Sequence, residues 1–226
     1  MQIYQMDKKH ITDIKFPAFI VKGDNETGQW ILREGIPEIK LINSCIKYLG
    51  KDKVFIDVGA HMGTYSIILS KYCKWVYAYE AQQDTYYQLC GGIALNKCKN
   101  IDAKNLGIQD KESWWNTYYI TSEDGGGTSF IKPEVYLRTG TVNMDRLASF
   151  KYCGKIGLIK IDVEGYELKV IKGAISHIIT DYPVILFESN HDDDLRKQIV
   201  KYLEGYDYNV QQSNLQPNMF IATYNK

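Results

Sequence analysis

Short apolar runs and longer helical repeats alternate along this chain. The clearest apolar run, residues 54–58, is rich in β-branched side chains and carries one acid, Asp57, inside it. A run of this kind is typical of a strand buried on both faces of a parallel sheet. A glycine-rich turn at 59–63 and a helical pattern at 64–71 follow it. Strand, glycine turn and helix together form the unit with which α/β folds bring backbone N–H groups to a small ligand.

The same two patterns recur through the rest of the sequence. Strands are predicted at residues 16–21, 75–80, 101–105, 158–162 and 184–188, and an antiparallel pair at 208–211 and 219–223. Helices are predicted where apolar residues recur at three- to four-residue spacing, at residues 36–49, 84–95, 168–178 and 192–203. This alternation predicts an α/β fold with a doubly wound, mostly parallel sheet.

Two parts of the chain lie outside this alternation. We expect residues 1–50 to form an N-terminal extension or cap, and residues 51–226 to form the main domain. Within the main domain an aromatic, strand-like segment starts at Ser113, and a flexible glycine loop follows at 123–129. These features predict a β insertion at about residues 113–145, on the substrate side of the sheet.

Acidic residues fall at or near the carboxyl ends of the predicted strands. They are Asp57, Glu80, Asp162 and Glu188, with His61 and His191 close by in sequence. Ligands of doubly wound sheets bind outside these strand ends, so we expect the side chains to converge there. Glu80 follows the last glycine of the first turn at about the distance typical of an acid that binds ribose hydroxyls.

Composition narrows the possible partners. Lys+Arg and Asp+Glu both number 27, so no global field favours nucleic acid. No apolar run is long enough to span a membrane, and the N-terminus lacks the apolar core of a signal peptide. The five cysteines are scattered without a Cys-x-x-Cys pair, which favours reduced thiols. We therefore expect a cytoplasmic protein that binds no nucleic acid.

The motifs together resemble the FkbM family of S-adenosylmethionine-dependent methyltransferases. The matching segments are 55–63, 77–80, 141–147, 159–167 and 171–174, and the Lys-Ile-Asp-Val-Glu-Gly-Tyr-Glu sequence at 160–167 is the most specific of them. The resemblance covers about residues 53–223. It implies a Rossmann-like, seven-stranded class I methyltransferase sheet whose last strand pair includes the one antiparallel strand.

The resemblance also implies a set of S-adenosyl-L-methionine contacts. Asp57, Gly59, Ala60, His61 and Gly63 would line the methionine and ribose part of the cofactor, Glu80 and Ala81 its ribose hydroxyls, and Asn105, Leu106 and Gly107 its adenine. Asp162 would face the transferred methyl group. The sequence departs from the common family pattern at His61, where Asn is frequent, and at Gln82, where Pro is frequent.

Methyl transfer to an alcohol requires a general base or a metal ion, because the hydroxyl proton is not acidic at neutral pH. The candidates for this catalytic role are Asp162, Glu164, Glu188 and His191. A divalent cation such as Mg²⁺ is a candidate second cofactor, with Asp162 and Glu188 as its ligands.

The expected acceptor is a hydroxyl of a sugar or glycan. Aromatic pairs at 114–115 and 118–119, on the predicted substrate side, offer faces on which a sugar ring stacks. A glycosyltransferase, fused or neighbouring, would be a fitting partner. Three alternatives remain open: an O-methyltransferase of a polyketide or other small molecule, an RNA ribose methyltransferase, and a non-catalytic cofactor-binding module.

Overall fold

In the computed structural model, the residues described are 2–5, 17–21, 26–36, 38–119, 128–129, 134, 138–189 and 193–225. The strands are β1 (Gln2–Gln5), β2 (Ala18–Val21), β3 (Lys53–Val58), β4 (Trp75–Glu80), β5 (Ile101–Asn105), β6 (Gly107–Ile108), β7 (Ser113–Tyr119), β8 (Thr128–Ser129), β9 (Arg138–Asp145), β10 (Lys155–Ile161), β11 (Val184–Glu188), β12 (Tyr208–Gln212) and β13 (Met219–Tyr224).

Seven α-helices connect or cover these strands in the described residues. They are α1 (Glu26–Glu34), α2 (Ile39–Cys45), α3 (Thr64–Leu69), α4 (Gln83–Leu95), α5 (Glu167–Gly173), α6 (Ile175–Asp181) and α7 (Asp193–Glu204). Single 3₁₀ turns at Ile46–Tyr48, Ser70–Tyr72 and Leu147–Ser149 complete the set. Within the described ranges no helix combines the length and apolar character that crossing a bilayer requires.

The main sheet has seven strands in the order β12-β13-β11-β10-β3-β4-β5. Strands β11, β10, β3, β4 and β5 are parallel neighbours, and β13 runs antiparallel to both β11 and β12. The predicted doubly wound α/β fold is therefore confirmed, with its single antiparallel strand. From β3 the chain adds β4 and then β5 toward one edge of the sheet. It later returns to the other side of β3, where it adds β10, so the direction in which strands are added reverses between β3 and β10.

Alternate side chains of the central strands face two separate apolar layers. Phe55 and Leu158 pack toward α2, α3 and α4, whereas Ile56 and Ile159 pack toward α5, α6 and α7. Each strand is apolar on both faces because helices cover both faces. Asp57 and Lys160 project into the layer of Phe55, so each places a charge where its neighbours are apolar.

A second, four-stranded sheet has the order β6-β9-β7-β8. Its strands β6 and β9 are parallel, while β9 pairs antiparallel with β7 and β7 with β8. Residues 107–108, which follow β5 after one residue, pair with the end of β9. Thr128 and Ser129 likewise pair with β7, while the remainder of the predicted glycine loop lies outside the described residues.

Two predicted helices differ from the structure. The segment 36–49 contains only α2 and a 3₁₀ turn, and the segment 168–178 is divided at Ala174 into α5 and α6. Helix α1 was not predicted. Its residues Trp30 and Leu32 are exposed while Ile31 is buried, so only a narrow apolar stripe marked it in the sequence.

The N-terminal strand pair contacts the end of α4. The backbone N–H of Ala18 in β2 donates to the Asn96 Oδ1 at 2.9 Å, and the Asn96 amide donates back to the Ala18 carbonyl at 2.6 Å. Because Asn96 also donates to the carbonyl of Gly92 near the end of α4, one side chain joins the strand to the helix.

Candidate functional site

The turn after β3 makes the closest backbone approach at the carboxyl edge of the sheet. Gly59 has a φ of 74°, and its N–H and that of Ala60 both donate to the carbonyl of Tyr79, each at 3.0 Å. A Cβ placed on Gly59 would lie 1.7 Å from the carbonyl oxygen of Asp162. Only glycine fits here, because the left-handed φ disfavours a side chain and the contact with Asp162 leaves no room for one.

Glu80 ends β4 and receives the next part of the same turn. Its Oε2 accepts the N–H of His61 and its Oε1 accepts the N–H of Gln82, both at 2.8 Å. Burial raises the pKa of Glu80 to about 7, although the bonds from Gln82 and His61 favour the ionised form. Each oxygen keeps acceptor capacity beyond its single backbone bond, so the carboxylate can accept two hydroxyl donors as well.

Residues 105 and 106 bind the backbone of the same strand end. The Asn105 side-chain amide donates to the backbone carbonyls of Glu80 at 2.8 Å and Ala81 at 3.0 Å. The Leu106 N–H donates to the same backbone carbonyl of Glu80 at 3.1 Å. Gly107 is buried in β6, where a Cβ would lie 2.0 Å from the sulfur of Met144. The residues that the resemblance assigned to ribose and adenine therefore meet at one corner of the sheet.

Lys160 is a buried charge that the sequence analysis did not single out. It lies in β10 directly opposite Asp57 in β3. Its Nζ donates to the carbonyl of Gly59 at 2.8 Å and to the Asp162 Oδ2 at 3.1 Å, and it lies 3.8 Å from the Asp57 Oδ1. Burial opposes the charge on Lys160, but Asp162 and Asp57 outweigh it and raise its pKa. A lysine inside an apolar strand was the signal that could have identified it.

Asp57 is completely buried, and it has its partners within the protein. The Ser66 hydroxyl donates to its Oδ2 at 2.6 Å, whereas its Oδ1 has no hydrogen-bond donor among the described residues. Burial raises the pKa of Asp57, and Lys160 and Ser66 oppose that shift. Lys160 therefore supplies a counter-charge for this buried acid, and Ser66 supplies a hydrogen bond.

Three carboxylates meet beside β10 and β11. The register pairs Ile161 with Phe187, so the residues that follow in the two strands, Asp162 and Glu188, lie side by side. One oxygen from each of Asp162, Glu164 and Glu188 lies within 4.8 Å of the others. Burial favours protonation of Asp162, but the Lys160 charge and a hydrogen bond with Glu188 give a net lowering of its pKa.

The loop that carries Glu164 is held by an acid that the sequence analysis did not identify as a site residue. Glu167 is 3% exposed, and its Oε1 accepts the N–H groups of Gly165 at 3.0 Å and Val163 at 3.4 Å. Glu164 itself has a φ of 52°, an uncommon value for a residue with a side chain. Burial raises the pKa of Glu167, and its backbone bonds oppose this.

The described candidates fall into two connected groups. The glycine turn and Glu80 form one group, and Asp162, Glu164 and Glu188 form the other. His61 joins them, because its N–H binds Glu80 while its charge contributes to lowering the pKa of Asp162. Gly63, with a φ of 91°, begins α3 behind the turn. His191 lies outside the described residues.

The β insertion places one aromatic side chain near the acidic loop. Trp115 packs edge-on against Tyr166, with ring centroids 5.7 Å apart, and the Lys169 ammonium lies 4.1 Å from the Tyr166 ring centroid. Trp114 points to the opposite face of β7 and is 74% exposed. Alternation along the strand separates the pair, so only Trp115 adjoins the residues that follow β10.

Comparison with known sequences gives two matches of different breadth. The profile described as the methyltransferase FkbM domain matches residues 57–210. A curated protein, the hexuronic acid methyltransferase AglP of Haloferax volcanii, is 26% identical over 150 residues. That alignment covers 64% of this chain and 59% of the relative, so the chain spans less than two thirds of that protein.

Solved structures show the same fold at low sequence identity. The methyltransferase FkbM of Methylobacillus flagellatus KT aligns with a TM-score of 0.54 and 14% identity, covering 88% of this chain and 61% of that one. A Streptococcus mutans protein solved in complex with SAH aligns with a TM-score of 0.52 and 14% identity, covering 83% of this chain and 97% of that one.

The close approach at Gly59 yields a stability prediction. We expect Gly59→Ala to lower the free energy of unfolding by about 3 kcal/mol or more, since it adds a backbone clash to the cost of a left-handed residue. Gly165→Ala is the matched control: Gly165 has a φ of 97° but no atom within 4 Å of a Cβ. It should cost only about 1–2 kcal/mol.

Urea unfolding of both variants measures the difference. Equal losses of stability in the two variants would show that the contact between Gly59 and Asp162 adds nothing to the conformational cost.

Proposed function

The chain belongs to the FkbM methyltransferase family, and from this premise we propose that it is an S-adenosylmethionine-dependent O-methyltransferase acting on a hydroxyl of a sugar or glycan. The observation that carries the proposal is the group of Asp162, Glu164 and Glu188 beside the glycine turn. A hydroxyl acceptor needs a group that takes its proton, and carboxylates next to the donor site can do so.

The residues of the first group fit the proposed cofactor. The turn exposes no side chain at Gly59, and Glu80 is held by two backbone N–H groups with acceptor capacity to spare. We assign the ribose hydroxyls to Glu80, and the adenine side to Asn105, Leu106 and Gly107. Asp57, Ala60, His61, Gly63 and Ala81 complete the proposed donor site. S-adenosylmethionine supplies a methyl group already bonded to its leaving group.

The protein's own part in the reaction is to orient the acceptor and remove its proton. We assign the proton to Asp162, whose carboxylate is fixed by Lys160 and adjoins Glu188. Holding both reactants in an aligned geometry replaces a bimolecular encounter by an effectively intramolecular step. Glu164 and His191 are the other residues that we propose for the acceptor side of the site.

Two findings support a sugar as the acceptor. The Haloferax volcanii relative is named a hexuronic acid methyltransferase, and a hexuronic acid is an acidic sugar. In this chain, the partly buried ring of Trp115 lies against Tyr166, directly after the acidic loop. An aromatic side chain at that place offers an apolar face to the C–H surface of a sugar ring.

Residues 1–50 are proposed as a cap and residues 51–226 as the catalytic domain.

Substitution of Glu80 tests the proposed donor site. We expect Glu80→Gln to weaken the binding of S-adenosylhomocysteine by roughly 10- to 100-fold, because hydrogen bonds to a charged acceptor are worth about 1.5–3 kcal/mol. For the unchanged protein, affinity should rise with pH as Glu80 ionises through its pKa of about 7. Calorimetric titration between pH 6 and 8 measures both effects.

The variant should lose the part of the pH dependence that Glu80 causes. Asp102→Asn, which removes a partly exposed acid paired with Lys104 on β5, serves as the isosteric control. Unchanged affinity of Glu80→Gln for S-adenosylhomocysteine would contradict the assignment.

The acceptor is tested with S-adenosylmethionine labelled in its methyl group. We expect label to appear on a sugar hydroxyl when uronic acid glycans, neutral glycans, small-molecule alcohols and RNA are compared. Asp162→Asn should lower kcat by roughly 100-fold, the scale of general base catalysis. Asp102→Asn again serves as control. Transfer to RNA, to amines or to non-sugar hydroxyls alone would overturn the sugar proposal.

A divalent cation is the second proposal at this site. One oxygen each from Asp162, Glu164 and Glu188 could ligate Mg²⁺ or a similar hard ion. We expect chelation with EDTA to lower the methyl transfer rate at least about tenfold, and added Mg²⁺ to restore it. Full activity after chelation would leave the three carboxylates without a metal role.

A further inference from the structure

We propose that Lys160 is a positioning residue, which fixes the Asp162 carboxylate relative to the turn at residues 59–63. The inference rests on the proposed function, in which that turn holds the donor and Asp162 acts on the acceptor. Lys160 need not touch either reactant: its ammonium would act through the groups it binds.

The hydrogen bonds of the ammonium connect the two halves of the site. Lys160 Nζ donates to the Gly59 carbonyl at 2.8 Å and to the Asp162 Oδ2 at 3.1 Å. One side chain therefore fixes the distance between the donor-side backbone and the acceptor-side carboxylate. Lys160 is only 3% exposed, so water does not compete freely for these bonds.

Groups from three other elements face the ammonium. Asp57 on β3 lies 3.8 Å away, and the Tyr65 ring on α3 has its centroid 5.4 Å away. Glu38, just before α2, contributes a further attractive charge, and its carboxylate faces the Tyr65 hydroxyl. The alternative role for Lys160 is therefore purely structural, as the counter-charge that allows Asp57 to be buried.

The geometry favours positioning over charge compensation alone. A lysine that served only Asp57 would be expected to bond to it, yet the Asp57 Oδ1 has no hydrogen-bond donor among the described residues. The two hydrogen bonds go instead to Gly59 and Asp162. The charges of Asp57 and Asp162 explain why Lys160 stays ionised although it is buried. Its hydrogen bonds identify Gly59 and Asp162 as the groups that it positions.

Donor binding should depend on Lys160 much less than turnover does. The turn has three anchors that do not involve Lys160: the N–H groups of Gly59 and Ala60 on the Tyr79 carbonyl, and the His61 N–H on Glu80. The Asp162 carboxylate, by contrast, loses the cation to which it is directly hydrogen-bonded when Lys160 is removed. Misplacing a reacting group by about 1 Å can lower a rate by roughly 100-fold.

A double-variant series separates the two roles. Lys160→Met keeps most of the length of the side chain but leaves Asp57 without its counter-charge, and Asp57→Asn removes the need for one. We expect Lys160→Met to lower the melting temperature and to lower kcat by about 100-fold. The double variant Lys160→Met with Asp57→Asn should regain much of the lost stability but none of the lost kcat relative to Asp57→Asn alone.

Two measurements keep the test independent of a known acceptor. S-adenosylhomocysteine should bind the double variant within about threefold of Asp57→Asn, since three anchors of the turn remain. In crystals of that complex, the Asp162 side chain should leave the orientation it has in Asp57→Asn. If the orientation of Asp162 is retained, or if kcat recovers with stability, Lys160 is only a counter-charge and the proposal is overturned.

Failure of the proposed function would look different. A wild-type protein that methylates no acceptor would leave the catalytic assignment unsupported, whereas the orientation of Asp162 would still decide the role of Lys160.

Discussion

The buried ammonium of Lys160 is the interaction on which the carboxyl edge of this sheet depends. This single side chain joins β3, β10 and the glycine turn through its contacts with Asp57, Asp162 and Gly59. Removing one partner of a buried ion pair typically costs about 3–5 kcal/mol, because the other charge stays behind unpaired. The site and the stability of the central strands therefore share one set of charges.

Sheet topology explains why the two groups of site residues face each other. The strand order reverses between β3 and β10, and helices leave the sheet on opposite faces at this point, which opens a crevice. The turn after β3 binds the end of β4, while the residues after β10 lie beside the end of β11. The proposed donor-side and acceptor-side groups consequently come from the two halves of the chain, with Gly59 and Asp162 in direct contact between them.

Local patterns predicted the central strands closely, because those strands are apolar on both faces and end at a glycine or an acid. The predictions were weaker where elements are short or depend on neighbours. Strand β6 has two residues and exists because Gly107 and Ile108 pair with β9. Helix α1 buries only a narrow stripe, and the division of α5 from α6 at Ala174 leaves the apolar spacing unchanged, so the spacing could not reveal it.

The amino-acid sequence by itself determined the family, the doubly wound sheet and the strand ends at which Glu80, Asp162 and Glu188 lie. Periodicity and motif spacing are local properties of the sequence, so they can be recognised without knowledge of tertiary contacts. Tertiary structure alone decided the partners. Asp57, which was expected beside a ligand, also faces Lys160 and Ser66, and Glu167 holds the loop of Glu164. The pairing of Asp57 with Lys160 depends on the register between β3 and β10, which lie about 100 residues apart in the chain, so no local pattern encodes it.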